Sequence, residues 1–529
     1  MLASNRFSRD KLIEILDATK DRTLGEVDKN NVFRKTITKP KITGIAGDVI
    51  EQSVLGYPPD GEQRPDLDID GELTELKTTG MRKKEDNGKE YYEAKEPASI
   101  TAVSIGTIED ETFFNSAFWH KIAHLLFVFY EYESDKTVLA AGYKDFHIRG
   151  YAFYSFKDDD LAVIKSDWQI IHDFLWNIRE KYDGKTAKTK YPDLSTIINK
   201  QTVYLDTAPK YPNPPRFRLR RKVVSSIIEE TLGKKQYEKL PDRYASYLDV
   251  IKKCSVLTQL YQGLSMSQLL SYFGVAIKPK ASDPKQYAEQ VIVRMFGGTS
   301  KSISQIEMFN RFGIIGKSIA LTNKGGRTED TKLLAVNFDE LATDTIIDEE
   351  TGEERPLRFE DSELYSYLND NKFLFIVFRE VPYENGKVKL GDNVFVGFKF
   401  VDLSTDEIMS AARETWNRVH RLVYYHELKS TVMRDKDGNI IYTPKTHVPM
   451  EEVNLPKSKE LPIFCRGTGQ NAKDKIVVNG IRLYRQNYWI KGLKLVEILK
   501  NTDDVPVSNS FKIKAERAEV LKSLKDPNL

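Results

Sequence analysis

Hydrophobic and polar positions recur with different periods along the chain. In ITGIAGDVIEQSVLG, residues 42–56, Val49, Ile50, Val54 and Leu55 fall at helical spacing, which predicts a packed helix from which Glu51 projects. Gly44 and Gly47 would let that helix sit close against other backbone. In RPDLDIDGELTELKTTG, residues 64–80, Leu73, Leu76 and the threonines around them predict an extended, half-buried segment. The most apolar run is IAHLLFVF at 122–129. In RFRLR, residues 216–220, Phe217 and Leu219 alternate with Arg216, Arg218 and Arg220, so a strand there turns its apolar side chains to a core and its arginines the other way. Residues 236–290 read as mainly helical.

At 529 residues the chain is too long for one core, and two domains of ordinary size with a connector are expected. It is 30% charged and 40% hydrophobic with formal net charge +2, so any nucleic-acid surface must be local. The two cysteines, Cys254 and Cys465, lie far apart, which excludes a disulfide scaffold and a zinc site built on paired cysteines. The start, MLASNRFSRDKL, lacks an apolar signal core, and the 122–129 run is far shorter than a membrane span, so a cytoplasmic protein with no membrane partner is expected. FGIIGKS at 312–318 looks like a phosphate loop, but that pattern needs a glycine where Arg311 stands, and no nucleotide-hydrolysing site is expected. The seven histidines show no HExxH or HxH spacing, and His120 and His124 read as packing or solvated residues.

The chemistry concentrates in residues 64–80, where Asp66, Asp68, Asp70, Glu72 and Glu75 precede Lys77. An unpaired carboxylate beside a buried strand is costly, and a hard divalent cation with oxygen ligands would neutralise such a group. The triplet Glu75-Leu76-Lys77 alone carries little weight, because composition yields an acid two residues before a lysine about seven times in such a chain. The apolar frame, the Pro65-Asp66 pair upstream and Glu51 in the preceding helix add to it and make a shared metal site the expectation.

GIAGDVIEQSVLG followed by RPDLDIDGELTELKTTG resembles the GxxGxxxE…LG…PD…ELKxT signature of the MutH family of PD-(D/E)xK endonucleases. NSAFWHKIAHLLFVFYEY resembles the family's Ser…His-Lys segment and places Lys121 on its lysine. YLDTAPKYPN resembles the YLxxxPKxxN segment, with Lys210 as the loop lysine near the base edges, and PRFRLRRKVVSSII resembles the final basic strand and helix. The family separates its PD aspartate from the glutamate by six residues. Asp68 keeps that spacing, whereas Asp66 has eight residues between but follows Pro65 as the motif does; Asp66 is favoured and both stay candidates.

The second half repeats the first. NKFLFIVFREV at 371–381 repeats HKIAHLLFVFYEY, with Lys372 in the place of Lys121, and RETWNRVH repeats the tryptophan-bearing KSDWQIIHD. CRGTGQNAKDK at 465–475 and LYRQNYWIKGLKLVEIL at 483–499 resemble the end of the same fold. Where the first copy has Glu75 the second has Ile315, although Lys317 remains in the place of Lys77. The resemblance is to the two-domain type II restriction endonucleases that cut at GATC. It implies a mixed α/β fold of two tandem MutH-like domains, each a central mixed sheet flanked by helices. Residues 1–235 would be the catalytic domain, 236–290 a helical connector, and 291–529 a degenerate DNA-binding and allosteric domain.

The same resemblance implies Mg²⁺ held by Asp66, Glu75, the Leu76 carbonyl and Glu51, with Lys77 on the attacking water and Lys121 as a further phosphate or active-site contact. Arg216, Arg218 and Arg220 suit DNA phosphates or guanine edges. Arg466, Asn471, Lys473, Arg485 and Lys491 are the corresponding DNA contacts of the second copy. The expected partners are double-stranded DNA and, functionally, a cognate DNA methyltransferase, with a monomer alone and a dimer on two DNA sites both open. A MutH-like nickase of mismatch repair and a non-catalytic DNA-binding regulator are the competing readings.

Overall fold

The computed structural model describes residues 5–58, 64–86, 89–134, 138–233, 236–276, 285–327, 329–347, 353–382, 390–443, 447–469, 474–503 and 511–524. In the first half a mixed sheet is built from β1 (Arg6–Phe7), β2 (Leu67–Ile69), β3 (Glu72–Asp86), β4 (Lys89–Ala94), β6 (His124–Glu131) and β7 (Ile148–Ser155). Its order is β1-β2-β3-β6-β7, with β4 pairing the far end of β3. β2 and β3 form an antiparallel hairpin in which Ile69 pairs with Glu72. The two residues between them, Asp70 (φ 52°) and Gly71 (φ 92°), both take positive φ. This is the primed turn that matches the twist of a two-residue hairpin, and Asp-Gly is a preferred pair for it.

β3 runs parallel to β6, which is antiparallel to β7. β6 is apolar at nearly every position because both its faces are covered. Leu126, Val128 and Tyr130 join a core with Ile45, Val49, Ile50 and Leu76. Leu125, Phe127 and Phe129 join the opposite core with Phe118, Trp168 and Ile171. The central strand is therefore the run that the hydrophobic pattern picks out.

A second, small antiparallel sheet has the order β5-β9-β8, from β5 (Ala98–Ala102), β8 (Leu205–Ala208) and β9 (Arg216–Leu219). The second half repeats the β3-β6-β7 part of the larger sheet and has a counterpart of the small one. β10 (Ile314–Leu321) runs parallel to β14 (Lys372–Arg379), which is antiparallel to β15 (Val394–Val401). β11 (Thr331–Ala335), β18 (Ile463–Thr468) and β20 (Ile481–Ile490) form an antiparallel sheet of order β11-β20-β18, with β19 (Lys475–Val478) on β20. Two further hairpins pair β12 (Thr345–Ile347) with β13 (Glu354–Pro356), and β16 (Ser430–Val432) with β17 (Glu451–Val453).

The repeat extends to side-chain detail. Ser116 caps the helix Ala117–Ile122 and donates to the Phe113 carbonyl at 2.7 Å. Ser362 caps Glu363–Asp370 and donates to the Phe359 carbonyl at 2.6 Å. After β7 and β15 come the helices Asp158–Lys181 and Asp406–Tyr424, whose buried Trp168 and Trp416 stack on His172 and His420 at 5.0 Å and 4.9 Å. Strand register settles which residues correspond. Glu75 pairs with Leu125, one residue into β6, and Ile315 pairs with Phe373, one residue into β14. Ile315 thus stands at the position of Glu75 and Lys317 at that of Lys77.

Lys372 is corrected by the same register. It opens β14 as His124 opens β6, and three residues before the strand, where the first half has Lys121, the second has Asn369. The Lys372 ammonium donates to the Thr202 carbonyl at 2.9 Å and lies over the Tyr247 ring at 5.1 Å, so it serves the packing between halves.

The described residues of 236–290 are mainly helical, with Tyr247–Tyr261 and Met266–Tyr272 inside that span and Lys285–Met295 running past its end. They form a packed layer. Val250, Cys254, Leu257, Ile292 and Phe296 share one apolar core with Leu374, Ile376, Phe395 and Phe398 of the second sheet and with Ile227 and Ile228 of the first half. Gly397 permits this approach, because a Cβ there would lie 2.8 Å from the Thr258 methyl carbon. A buried ion cluster adds to it. Arg311 reaches Asp160 at 2.6 Å and Glu230 at 2.7 Å, while the hydroxyl of Tyr204 also donates to Asp160 at 2.6 Å. Both cysteines are buried and unbridged, and no helix among the described residues is long and apolar enough to cross a membrane.

Candidate active site

Glu51 lies where the helix Ile45–Val49 continues into a π-helical segment, Ile50–Leu55. Such widened turns recur at functional sites because they re-aim a side chain without ending the helix. Val49, Ile50 and Leu55 face the core as the stripe predicts, and Glu51 turns to a cleft. The glycines act differently from expectation. Gly44 supplies a left-handed residue (φ 77°) ahead of the helix, whereas a Cβ on Gly47 would meet nothing nearer than Thr78 Oγ1 at 3.8 Å, so no close approach demands it.

Asp66 immediately precedes β2, and its Oδ2 accepts the Leu76 amide of β3 at 2.9 Å. This bond carries the carboxylate across the hairpin to the Glu75-Leu76-Lys77 triplet. Asp68 is engaged elsewhere: Arg6 Nε lies 3.1 Å from one oxygen, and the Gly71 amide donates to the other at 2.9 Å. The structure therefore brings Asp66, rather than Asp68, to Glu75.

Glu75 is 2% exposed, yet its charge is matched. Lys77, two residues on and so on the same face of β3, places Nζ 2.8 Å from Glu75 Oε1. Lys121, at the end of the helix Ala117–Ile122, lies 3.1 Å from both carboxylate oxygens. Across from them Glu51 has its pKa pushed up to about 7, first by burial and then by the negative charges of Asp66, Asp48 and Glu75. Asp66 is also shifted upward, by burial and by Glu75, against the Leu76 amide and the two lysines. Three carboxylates that repel one another make an oxygen donor set suited to a hard cation. Among the described residues, however, no three acidic, histidine or cysteine side chains stand close enough to enclose an ion, and Glu75 is occupied by its lysines.

The cleft beside these groups has a volume of about 580 Å³. Glu51, Asp48, Lys77, Thr78 and Arg216 line it, together with Ile347 from the second half. Asp48 and Thr78 were missed in the sequence because each occupies a variable position of its motif, Asp48 within GxxGxxxE and Thr78 within ELKxT. Asp48 is held by Lys35 at 2.9 Å, and Thr78 follows Lys77 along β3.

The basic row at 216–220 is corrected in part. β9 ends at Leu219, and Arg220 caps the helix Arg221–Leu232. Arg220 donates to the carbonyls of Leu205, Asn199 and Thr202, the first at 3.0 Å, and so braces the fold. Arg218 Nε donates to Asp206 at 2.7 Å. Arg216 is exposed, makes no ion pair among the described residues and borders the cleft. Lys210 is exposed in the loop joining β8 to β9.

In the second half Ile315 lines a separate cleft of about 790 Å³, in which Arg82, Lys84 and Lys222 face Glu340, Asp344 and Glu363. Arg466 is committed internally: it pairs with Asp330 and lies over Phe464 and Trp489 at 5.1 Å and 5.0 Å. Arg485 is exposed on β20, and Lys491 caps the helix Gly492–Asn501. Asn471 and Lys473 lie outside the described residues.

With this geometry in hand, two comparisons bear on the chain. The family described as DNA mismatch repair enzyme MutH matches residues 55–167, a span that takes in Asp66, Glu75, Lys77 and Lys121 but not Glu51. The type II restriction enzyme Sau3AI of Staphylococcus aureus is 24% identical over 393 residues, covering 70% of this chain and 72% of that protein. The chain is thereby connected to the MutH-related nucleases.

Proposed function

We propose that this protein is a Mg²⁺-dependent, site-specific endonuclease of the type II restriction kind that cuts both strands of DNA. The observation that carries the reading is the set Asp66, Glu75, Lys77 and Lys121 gathered on one hairpin and one helix end, beside a cleft bordered by Glu51 and Arg216. The similarity to a restriction enzyme over 393 residues, which reaches well beyond the 55–167 span, favours this over a single-domain nickase. In this reading residues 1–235 are the catalytic domain, 236–290 the connector, and 291–529 a copy that has lost its acid at Ile315 and acts as a DNA-binding effector. GATC as the target follows from the family resemblance.

Asp66, Glu75 and the Leu76 carbonyl, with Glu51, would hold Mg²⁺, which when bound supplies a Lewis acid to a phosphate oxygen. Lys77, whose Nζ lies beside Glu75 Oε1, would orient the attacking water and offset charge in the transition state. Lys121 keeps the Glu75 carboxylate in place and meets the same phosphate. The products carry a 5′ phosphate and a 3′ hydroxyl. Incubating the purified chain with methylated and unmethylated plasmid, with MgCl₂ or EDTA, tests the proposal. Linear product with Mg²⁺ and none with EDTA is expected. Nicked circles alone would favour the repair-type reading, and binding without cutting would favour a regulator.

A further inference from the structure

Beyond the cleft, the helix Gly184–Lys190 carries a run of lysines that the nuclease reading does not use. Lys185 and Lys188, three apart, share its exposed face, while Ala187 is buried and seats the helix. Lys181, at the end of the preceding helix, is exposed beside them. None of Lys181, Lys185 and Lys188 makes an ion pair among the described residues, nor do Lys210 and Arg216. Some cations elsewhere are fully matched, as Arg149 is by three carboxylates and Arg311 by another three. The nearby Asp183 is spent on capping, accepting the amides of Lys185 and Thr186 at 3.0 Å and 2.8 Å.

The helix is tied to the cleft through packing. Tyr191, which ends it, meets Tyr211 ring to edge at 5.4 Å, and Tyr211 follows Lys210 in the loop between β8 and β9. Asn199, farther along the same segment, clamps β8 by accepting the Thr207 amide at 3.0 Å and donating to its carbonyl at 3.2 Å. Arg216, opposite Ala208 in β9, borders the cleft. Exposed cations with no ion pair among the described residues therefore stand on the segments that this packing joins: Arg216 at the cleft edge, Lys210 beside Tyr211, and Lys188 and Lys185 on the helix. A duplex leaving the cleft on this side would present phosphates to them.

We infer that the helix Gly184–Lys190 is a phosphate-tracking surface that grips the DNA duplex outside the cut site. The inference rests on the nuclease reading and names a contact that reading lacks. It bears on affinity and leaves the chemistry alone.

The test compares the full chain with Lys185→Ala/Lys188→Ala and with Lys185→Glu/Lys188→Glu, in EDTA, on a short and a long duplex (about 12 and about 30 base pairs) centred on GATC. The wild type should bind the long duplex more tightly. The alanine pair should lose that gain, with a salt slope on the long duplex shallower by about two, since each lost phosphate contact removes about 0.9. Charge reversal should weaken binding further, while affinity for the short duplex stays at the wild-type level. Wild-type slope and length dependence in both variants, with the wild-type chain still cutting DNA, would overturn this inference alone. A wild-type chain that binds neither duplex would overturn it together with the nuclease reading.

Discussion

Lys121 Nζ stands 3.1 Å from each carboxylate oxygen of Glu75, bridging a helix end to the start of β3. The contact fixes the aim of a buried carboxylate from outside its own strand.

Glu75→Ala and Lys77→Ala should each lower the cleavage rate by about a hundredfold or more, with DNA affinity within a few-fold of wild type. Asp66→Ala should behave like them. Asp68→Ala should cut normally, because it loses an ion pair with the exposed Arg6 and one turn amide. Single-turnover cleavage alongside filter binding separates the two effects. Loss of cutting at Asp68→Ala with full activity at Asp66→Ala would move the metal role to Asp68.

The basic row should split by function. Arg216→Ala should weaken DNA binding and lower the salt slope by about one, leaving urea stability unchanged. Arg220→Ala should instead destabilise the protein by about 1–3 kcal/mol, because it strips partners from the carbonyls of Leu205, Asn199 and Thr202. Equal urea midpoints for both variants would contradict this division.

If the second copy binds DNA and stimulates the first, two-site plasmids should be cut faster than one-site plasmids, and a short specific duplex added in trans should rescue the latter. Arg485→Ala and Lys491→Ala should remove the stimulation. Arg466→Ala is a poor probe of it, since the pair with Asp330 and the Trp489 contact tie that arginine to folding. Equal rates on both plasmids would reduce the second copy to a scaffold.

Glu340 makes stability depend on pH. Burial and the Glu363 charge push its pKa up to about 7, against the amide of Glu363, the indole of Trp416 and the charge of Arg82. A carboxyl raised in the folded state favours folding while protonated. Its contribution is full below the ordinary carboxylate range and is lost as pH rises through about 7. The difference in unfolding free energy between wild type and Glu340→Gln should change by up to about 3 kcal/mol from pH 4 to pH 8, in the direction that disfavours the wild type at high pH. A flat difference across that range would contradict it.

What was legible in the sequence had local causes. The family resemblance placed the strand that β6 forms, Ile315 marked the position that corresponds to Glu75, and the tryptophan helices marked the repeat. Arg218 and Arg220 were misjudged because their partners lie in segments packed against β9, which alternation along one strand cannot register. Lys372 was misplaced because a lysine before an apolar run looks alike whether it ends a helix or opens a strand. The widened turn that aims Glu51 left no mark in a stripe equally compatible with an ordinary helix.

The apolar core shared by the connector, the first half and the inner face of the second sheet bears on how this duplicated chain can evolve. Leu374, Ile376, Phe395 and Phe398 close that core, so a gene cut back to the first half would leave a wet greasy wall where they now pack. The second half is thus bound to the shape of its neighbour. Whatever freedom Ile315 gives it from chemistry in the proposed reading, every substitution on its inner face is still screened by whether the other half remains folded.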